Sequence, residues 1–155
     1  MNGYLAVVGK AIGNNDGSIS QFQGDNVIAI FNMFDDQADH AWQAVQAGID
    51  LQRAVTHYQS QRPDIEPRLH FGVGINTGPA LIGNVGAHRR YSYTAIGDAV
   101  NLAARITGAT PADEVWISEA THQQLGGRFV TRPLPPLTFK GKSRLSPLFQ
   151  VVARL

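Results

Sequence analysis

Apolar residues recur along this chain at two different spacings, which predict where helices and strands alternate. In residues 4–12 the apolar positions lie three or four apart, which predicts a helix. Residues 18–23 and 26–32 predict two strands joined at Gly24-Asp25, where glycine suits the positive φ of a type II′ turn. The second strand is apolar on both faces, which is typical of a central, covered strand.

A longer helical pattern follows. Asp35 and Asp36 open it, and it continues to about residue 60. Its apolar stripe comprises Ala41, Ala44, Val45, Gly48, Leu51, Val55 and Tyr58. Residues 69–75 and 80–85 then predict a second hairpin, with its turn at 76–79.

The last third of the chain alternates short helices with short strands. A helix over 98–107 is expected to stop at Gly108, and Ser118 is expected to cap a second helix that runs to Leu125. Short strands are expected at 91–95, 115–117, 128–131, 137–140 and 148–152. This order predicts one domain over residues 1–155, of the α+β class, with a mainly antiparallel sheet and helices on one face.

Composition narrows the possible functions. A chain of 155 residues with 43% apolar residues suits one globular core. The net charge of +1 gives no general attraction to nucleic acid or to a membrane surface, so we expect neither as a partner of this segment. The chain contains no cysteine, which excludes disulfides and thiolate metal sites. No apolar run approaches the roughly 20 residues that span a bilayer.

The segment over residues 94–105 is the most informative about chemistry. Asn101 and Arg105 are four residues apart, so both side chains leave the same face of the predicted helix. Asp98 lies at the helix N-terminus, where a carboxylate is favourable. An amide beside a guanidinium can orient a sugar-phosphate and neutralise a phosphoryl oxygen. From the spacing alone, an amphipathic helix with two polar surface residues explains the pattern as well.

The order of several short segments adds a family resemblance. In sequence, they are Ser20 to Phe31, Gly74-Ile75-Asn76-Thr77-Gly78, Gly83-Asn84-Val85-Gly86, Tyr93 to Asn101, and Phe139-Lys140-Gly141-Lys142-Ser143. This series resembles the class III nucleotide cyclase catalytic domain, the adenylate and guanylate cyclase fold. The resemblance implies a ferredoxin-like sheet and conversion of ATP to cyclic AMP and pyrophosphate. It also implies a divalent metal cofactor, Mg²⁺ or Mn²⁺.

The resemblance implies roles for three residues that act on the sugar and the phosphates. Asn101 matches the family residue that orients the ribose, and Arg105 matches the one that stabilises charge on the α-phosphate. Lys140 matches the lysine that binds the triphosphate, although alone it is an ordinary solvated lysine. In the family these three come from one subunit and the metal ligands from the other. The resemblance therefore implies ATP as a partner and a head-to-tail homodimer with sites at its interface.

Base recognition and metal binding fall on the first hairpin and on the strand before the Asn101 helix. Asp25 matches one of two metal-binding aspartates of the family, while turn formation is the alternative reading of its position. Gln21 and Thr94 match the two positions that select the base. Adenylate cyclases usually carry lysine at the first position, and guanylate cyclases carry glutamate. The Gln21 amide both donates and accepts, so it suits either purine edge.

The start of the family domain has no counterpart here. On the family template the chain lacks the first strand, the other metal-binding aspartate and the loop that holds phosphate. We therefore expect an adenylate cyclase domain truncated at its N-terminus, weakly active or inactive as it stands. The alternative function is a non-catalytic cyclase-homology module that dimerises or senses nucleotide. The expected location is cytoplasmic, with tethering through an upstream region left open.

Overall fold

The computed structural model describes residues 2–23, 26–33, 36–66, 68–87, 90–138 and 145–155, without the side chains of 2, 23, 84–87 and 90–94. Its helices are α1 (Asn2–Gly13), α2 (His40–Ser60), α3 (Asp98–Ala109) and α4 (Glu119–Gln124). Its strands are β1 (Ser18–Gln23), β2 (Asn26–Ile30), β3 (Val73–Ile75), β4 (Leu81–Ala87), β5 (Arg90–Ile96), β6 (Val115–Ser118), β7 (Phe129–Leu137) and β8 (Ser146–Arg154).

The strands of the described chain form three sheets. β1 pairs with β2, β4 pairs with β5, and the third sheet has the order β3-β6-β8-β7. All of these pairs are antiparallel except β3 with β6, which is parallel. The α+β class and the mainly antiparallel pairing are therefore confirmed. No helix in the described residues combines the length and the apolar character needed to cross a bilayer.

Helices α2 and α3 lie on opposite faces of β3, an arrangement that the prediction of helices on one face does not include. Gly48 of α2 lies against Val73 and Ile75, whose side chains share one face of the strand. Gly74 points the other way and lies against Thr107 of α3. The face toward α2 holds a core of buried residues that includes Val45 and Val115. The sheet on which α3 packs is therefore also packed against α2 on its opposite face.

A second core joins α1, α2 and the β1-β2 hairpin. Its buried members are Tyr4, Val8, Ala11, Ile12, Leu51 and Val55. Gln59 is also buried there, and its amide donates to the Tyr4 hydroxyl at 3.0 Å and to the Leu69 carbonyl at 2.6 Å. A buried amide costs free energy unless its hydrogen bonds are made, and these partners meet that need. The predicted α1 is confirmed, and it is one to two residues longer at each end than residues 4–12.

The start of α2 differs from the sequence prediction. The helix begins at His40 and not at Asp36, while Asp35 lies outside the described residues. Asn32 has φ 65° and exchanges two hydrogen bonds with Gln37. The Asn32 backbone N–H donates to Gln37 Oε1 at 2.8 Å, and Asn32 Oδ1 accepts from the Gln37 backbone N–H at 2.6 Å. This closed loop occupies backbone groups that a helix would use, so Asp36 lies before the helix.

Asp39 is the N-cap residue of α2, but its side chain makes no capping hydrogen bond. Its carboxylate instead accepts two hydrogen bonds from the Arg128 guanidinium, each at 2.8 Å. These bonds hold the pKa of Asp39 below its ordinary value and raise the pKa of Arg128. Because the lowered pKa belongs to the folded state, this pair stabilises the fold above the ordinary pKa of aspartate. That stabilisation is lost as pH falls through the lowered value.

The predicted second hairpin is wrong. β3 pairs with β6, whereas β4 pairs with β5, so the segments on either side of residues 76–79 belong to different sheets. The first of them is also shorter than predicted. The carbonyl groups of Leu69 and Phe71 accept hydrogen bonds from Gln59 and Gln52 of α2, so this segment is held by the helix.

The predicted strands 128–131 and 137–140 are instead one strand, β7, which ends at Leu137. β7 contains prolines 133, 135 and 136, which have no backbone N–H. Among the described strands, β7 lies at the edge of its sheet and pairs with β8 alone, so a residue without an N–H is tolerated there. The prolines also discourage pairing of this edge with another chain. Residues 139 and 140 lie outside the described residues.

Candidate active site on helix α3

Helix α3 begins at Asp98, as predicted, and only Gly97 separates it from β5. Gly97 has φ 143°, a conformation that side-chain-bearing residues rarely adopt, and its carbonyl accepts from the N–H groups of Val100 and Asn101. Asp98 lies in the first turn, where its charge suits the helix dipole. The helix continues through Gly108 to Ala109, so Gly108 is not the terminator that the pattern predicted.

The two faces of α3 differ in burial. Ile106 is fully buried, whereas Asn101 is exposed and Arg105 is half-buried. Their spacing of four residues places these two polar residues on the same side of the helix. An amide and a guanidinium therefore stand side by side, away from the core beneath the helix. This arrangement suits a ligand that carries both hydroxyl and phosphoryl oxygens.

A close approach of β3 fixes the height of α3 above the sheet. A β-carbon built on Gly74 would lie 2.8 Å from the Cα of Thr107 and against its backbone nitrogen. Gly72 has the same relation to the end of the helix, where a β-carbon would lie 2.6 Å from the Thr110 carbonyl oxygen. Backbone meets backbone at both positions, so the sheet determines where Asn101 and Arg105 stand.

The two predicted base-selecting residues lie on strands that contact each other. Gln21 is a half-buried residue of β1, and Thr94 lies on β5, opposite Gly83 of β4. β1 contacts β5, and β5 contacts α3. The pairing of β1 with β2 shifts register between Ile19 and Gln21, which locally changes the twist of the strand. The structure therefore gathers the segments of Gln21, Thr94, Asn101 and Arg105 in one region.

Two predicted site residues, Asp25 and Lys140, lie outside the described residues. β1 ends at Gln23 and β2 begins at Asn26, so Asp25 belongs to the short connection of this hairpin in sequence. Within the described part of the chain, no three His, Cys, Asp or Glu side chains form a group that could hold a metal ion. A carboxylate on a hairpin connection is a donor that Mg²⁺ accepts, because this hard cation prefers oxygen ligands.

A groove of about 500 Å³ lies between α1 and α2, and it contains none of the predicted site residues. Its walls include Lys10, Asp50 and Arg62, and the Arg62 guanidinium lies over the Tyr58 ring, 5.1 Å from its centroid. The Asp50 carboxylate accepts hydrogen bonds from Asn15 and Gln46. Asp50 thus contacts one residue of its own helix and one residue of the turn after α1, and Arg62 packs on Tyr58. These polar groups have partners within the fold, so concavity alone does not locate the active site.

Asn76 belongs to the Gly74–Gly78 motif, but its place in the sequence predicts no role for it. Its side-chain amide donates to the Ala99 carbonyl in the first turn of α3, at 2.9 Å. The signal was its place between an apolar strand and a Thr-Gly-Pro turn, where an asparagine is ordinarily explained by turn formation. The long-range partner was not visible in the pattern.

Comparison with known proteins agrees with this arrangement. Residues 10–150 match the family described as the adenylate and guanylate cyclase catalytic domain. The chain is 33% identical over 152 residues to adenylate cyclase 1 of Rhizobium meliloti, which covers 96% of this chain and 23% of that protein.

Solved structures show the same fold. The adenylyl cyclase CyaB from P. aeruginosa superposes with a TM-score of 0.92 at 34% identity, covering 99% of this chain and 81% of that one. The guanylyl cyclase Cya2 gives a TM-score of 0.87 at 30% identity, covering 97% and 77%.

The match covers most of this chain but only a small part of its curated relatives. The chain spans less than a quarter of the length of the adenylate cyclases from Rhizobium meliloti, Dictyostelium discoideum and Anabaena cylindrica. Similar proteins include enzymes named for either adenine or guanine nucleotides. The chain itself belongs to the adenylate and guanylate cyclase catalytic domain family.

Proposed function

We propose that this chain is an adenylate cyclase catalytic domain, which converts ATP to cyclic AMP and pyrophosphate. The observation that carries the proposal is the pair formed by exposed Asn101 and half-buried Arg105 on one face of α3. The reaction joins the ribose 3′-oxygen to the α-phosphorus as pyrophosphate leaves, so charge builds on the phosphoryl oxygens. A fixed guanidinium stabilises that charge, and an amide positions the ribose.

The remaining substrate contacts follow from the neighbouring segments. Gln21 and Thr94 are proposed to face the purine, because their strands contact each other beside α3. Lys140 is proposed to bind the triphosphate through its charge, as its match to the family residue suggests. Asp25 is proposed to hold a divalent cation, Mg²⁺ or Mn²⁺, which neutralises phosphate charge when it is bound.

The site is proposed to be shared between two copies of the chain in a head-to-tail homodimer. Asn101 projects away from its own core, so a ligand beside it has an open side. A second copy related by a two-fold axis would cover that side and contribute its own Asp25. Each dimer would then contain two equivalent sites.

The experiment is an assay of the purified chain with radiolabelled ATP and Mg²⁺ or Mn²⁺, with chromatographic identification of products. Cyclic AMP and pyrophosphate in equal amounts are the expected products. ATP binding is measured in parallel by calorimetry. Binding without product would favour the nucleotide-sensing alternative. A folded chain that neither binds nor converts ATP or GTP would overturn the proposal.

Exchanging Gln21 for lysine is expected to sharpen the preference for ATP over GTP. Lysine only donates hydrogen bonds, whereas the Gln21 amide also accepts, so the native residue suits both purines. The ratio of kcat/KM for ATP to that for GTP should rise by about 1–3 kcal/mol in free-energy terms, the cost of one unpaired buried group. Gln123→Lys, which adds the same charge at an exposed position of α4, should leave the ratio unchanged. An unchanged ratio in Gln21→Lys would show that residue 21 does not face the base.

A further inference from the structure

The segment after β3 rests on the first turn of α3. The Asn76 side-chain amide donates to the Ala99 carbonyl at 2.9 Å. Gly78 is so close to the same residue that a β-carbon there would lie 3.0 Å from the Ala99 side chain. A β-carbon built on Gly97, the residue before α3, would lie 3.9 Å from the Pro79 carbonyl oxygen. Residues 76–79 therefore form a support on which the helix start sits.

This support is itself fixed to the sheet. The Thr77 hydroxyl lies 2.8 Å from the hydroxyl of Thr121, which is fully buried. Thr121 in turn contacts Ser118, the N-cap residue of α4 at the end of β6. Ile75, the residue before Asn76, pairs with Ile117 of β6. Asn76 is therefore held from both sides by residues that belong to the sheet and its core.

The first turn of α3 has little support of its own. Its N-cap residue is Gly97, which has no side chain, and so makes no capping hydrogen bond. A carbonyl oxygen has two lone pairs, so the Ala99 carbonyl accepts from Asn76 as well as from the helix. Ala99 precedes Asn101 by two residues and Arg105 by six, which are about half a turn and about one and two-thirds turns of helix. A rotation or shift at Ala99 therefore moves both side chains.

We propose that Asn76 is a positioning residue, which sets the placement of Asn101 and Arg105 through the Ala99 carbonyl. This proposal rests on the proposed function of α3. Asn76 does not itself touch the nucleotide. Its contribution lies in the orientation of the two side chains during the reaction. Misplacement by about 1 Å can cost roughly a hundredfold in rate, whereas nucleotide binding depends on many other contacts.

The test compares three variants at this position. Asn76→Ala removes the donor, and Asn76→Asp places an acceptor against the Ala99 carbonyl. Asn76→His restores a donor, because the histidine Nδ1 occupies nearly the same position as the asparagine amide nitrogen. Asn76→Ala is expected to lower kcat by about 10- to 100-fold with KM within about threefold. Asn76→Asp should lower kcat at least as much, and Asn76→His should recover most of the loss.

A matched control separates positioning from general loss of stability. Gln52→Ala removes a comparable hydrogen bond, from a side-chain amide to the Phe71 carbonyl at 2.6 Å, on the α2 side of the sheet. It should lower thermal stability as Asn76→Ala does and leave kcat within about twofold of the parent. Equal loss of kcat in both variants, or no loss in Asn76→Ala, would overturn the proposal.

A second measurement does not depend on turnover. Hydrogen exchange of the backbone amides of residues 100–105 should become at least about tenfold faster in Asn76→Ala and return toward the parent rate in Asn76→His. Gln52→Ala should leave these amides unchanged. If the chain proves to act on no nucleotide, the proposed function fails while this measurement still decides whether Asn76 holds α3. Unchanged exchange in Asn76→Ala would overturn the positioning role in either case.

Discussion

Replacing Arg105 with alanine is expected to lower kcat by about 10²- to 10³-fold, with a much smaller change in KM. Removal of a group that acts on charge developing in the transition state typically costs this much. Arg105 lies on the same face of α3 as Asn101 and is half-buried, so part of its solvent is removed before any ligand binds. The measurement is steady-state production of cyclic AMP from radiolabelled ATP at saturating metal.

Two control variants sharpen this result. Arg105→Lys keeps the charge but loses the planar fork, so it should recover only part of the rate. Arg53→Ala removes an exposed guanidinium from α2 and should leave kcat unchanged. A kcat in Arg105→Ala within threefold of the parent would remove Arg105 from the proposed transition-state contacts.

Replacing Gly74 with alanine is expected to destabilise the fold by about 1–3 kcal/mol or more, the usual cost of overpacking. The new methyl group would meet the backbone of Thr107, 2.8 Å from its Cα, and backbone yields less readily than a side chain. Strand β3 and helix α3 must then move apart. The measurement is the free energy of unfolding from urea titration, together with kcat, which should fall because α3 carries Asn101 and Arg105.

Gly108→Ala is the matched control, because Gly108 lies in α3 and, among the described residues outside the backbone of its own helix and its chain neighbours, no atom lies within 4 Å of its ideal β-carbon position. Alanine in that position should leave stability unchanged or raise it by up to about 1 kcal/mol. Equal stability of Gly74→Ala and the parent chain would contradict the close contact between β3 and α3.

The helices could be predicted well because their signals are local. The start of α3 at Gly97-Asp98 and the cap of α4 by Ser118 each depend on residues adjacent in sequence, and Thr121 N donates to Ser118 Oγ at 3.2 Å as predicted. The start of α2 was misplaced because the loop that precedes it is closed by mutual hydrogen bonds of Asn32 and Gln37. Side-chain hydrogen bonds of this kind compete with helix formation and leave no periodic pattern.

Sheet pairing was less predictable because it depends on distant residues. β3 and β4 are close in sequence and polar residues separate them, which is also how a hairpin looks. β3 instead pairs with β6, some 40 residues later, in a parallel arrangement. The support of α3 by Asn76 was missed for the same reason, since its partner Ala99 carries no polar side chain that could mark the contact.

Candidate site residues were found in sequence through the order of motifs and not through the chemistry of any one of them. Alone, Asn101 and Arg105 are an ordinary polar pair on a helix. They become candidates for a site because the strands of Gln21 and Thr94 contact each other beside that helix. Their roles in catalysis and base recognition stay predictions, as do those of Asp25 and Lys140. The kinetic experiments above test them one position at a time.

The central claim is that the α3 face is half of an ATP-cyclising site completed by a second copy of the chain. Mixing Arg105→Ala protomers with Asp25→Ala protomers tests it most directly. In a mixed dimer one site carries both substitutions and the other carries neither. Random pairing in an equal mixture should therefore restore about a quarter of the parent rate of cyclic AMP formation, although each variant alone is nearly inactive. A mixture no more active than the mean of the two variants, with mixed dimers verified by differential tagging, would contradict the shared site.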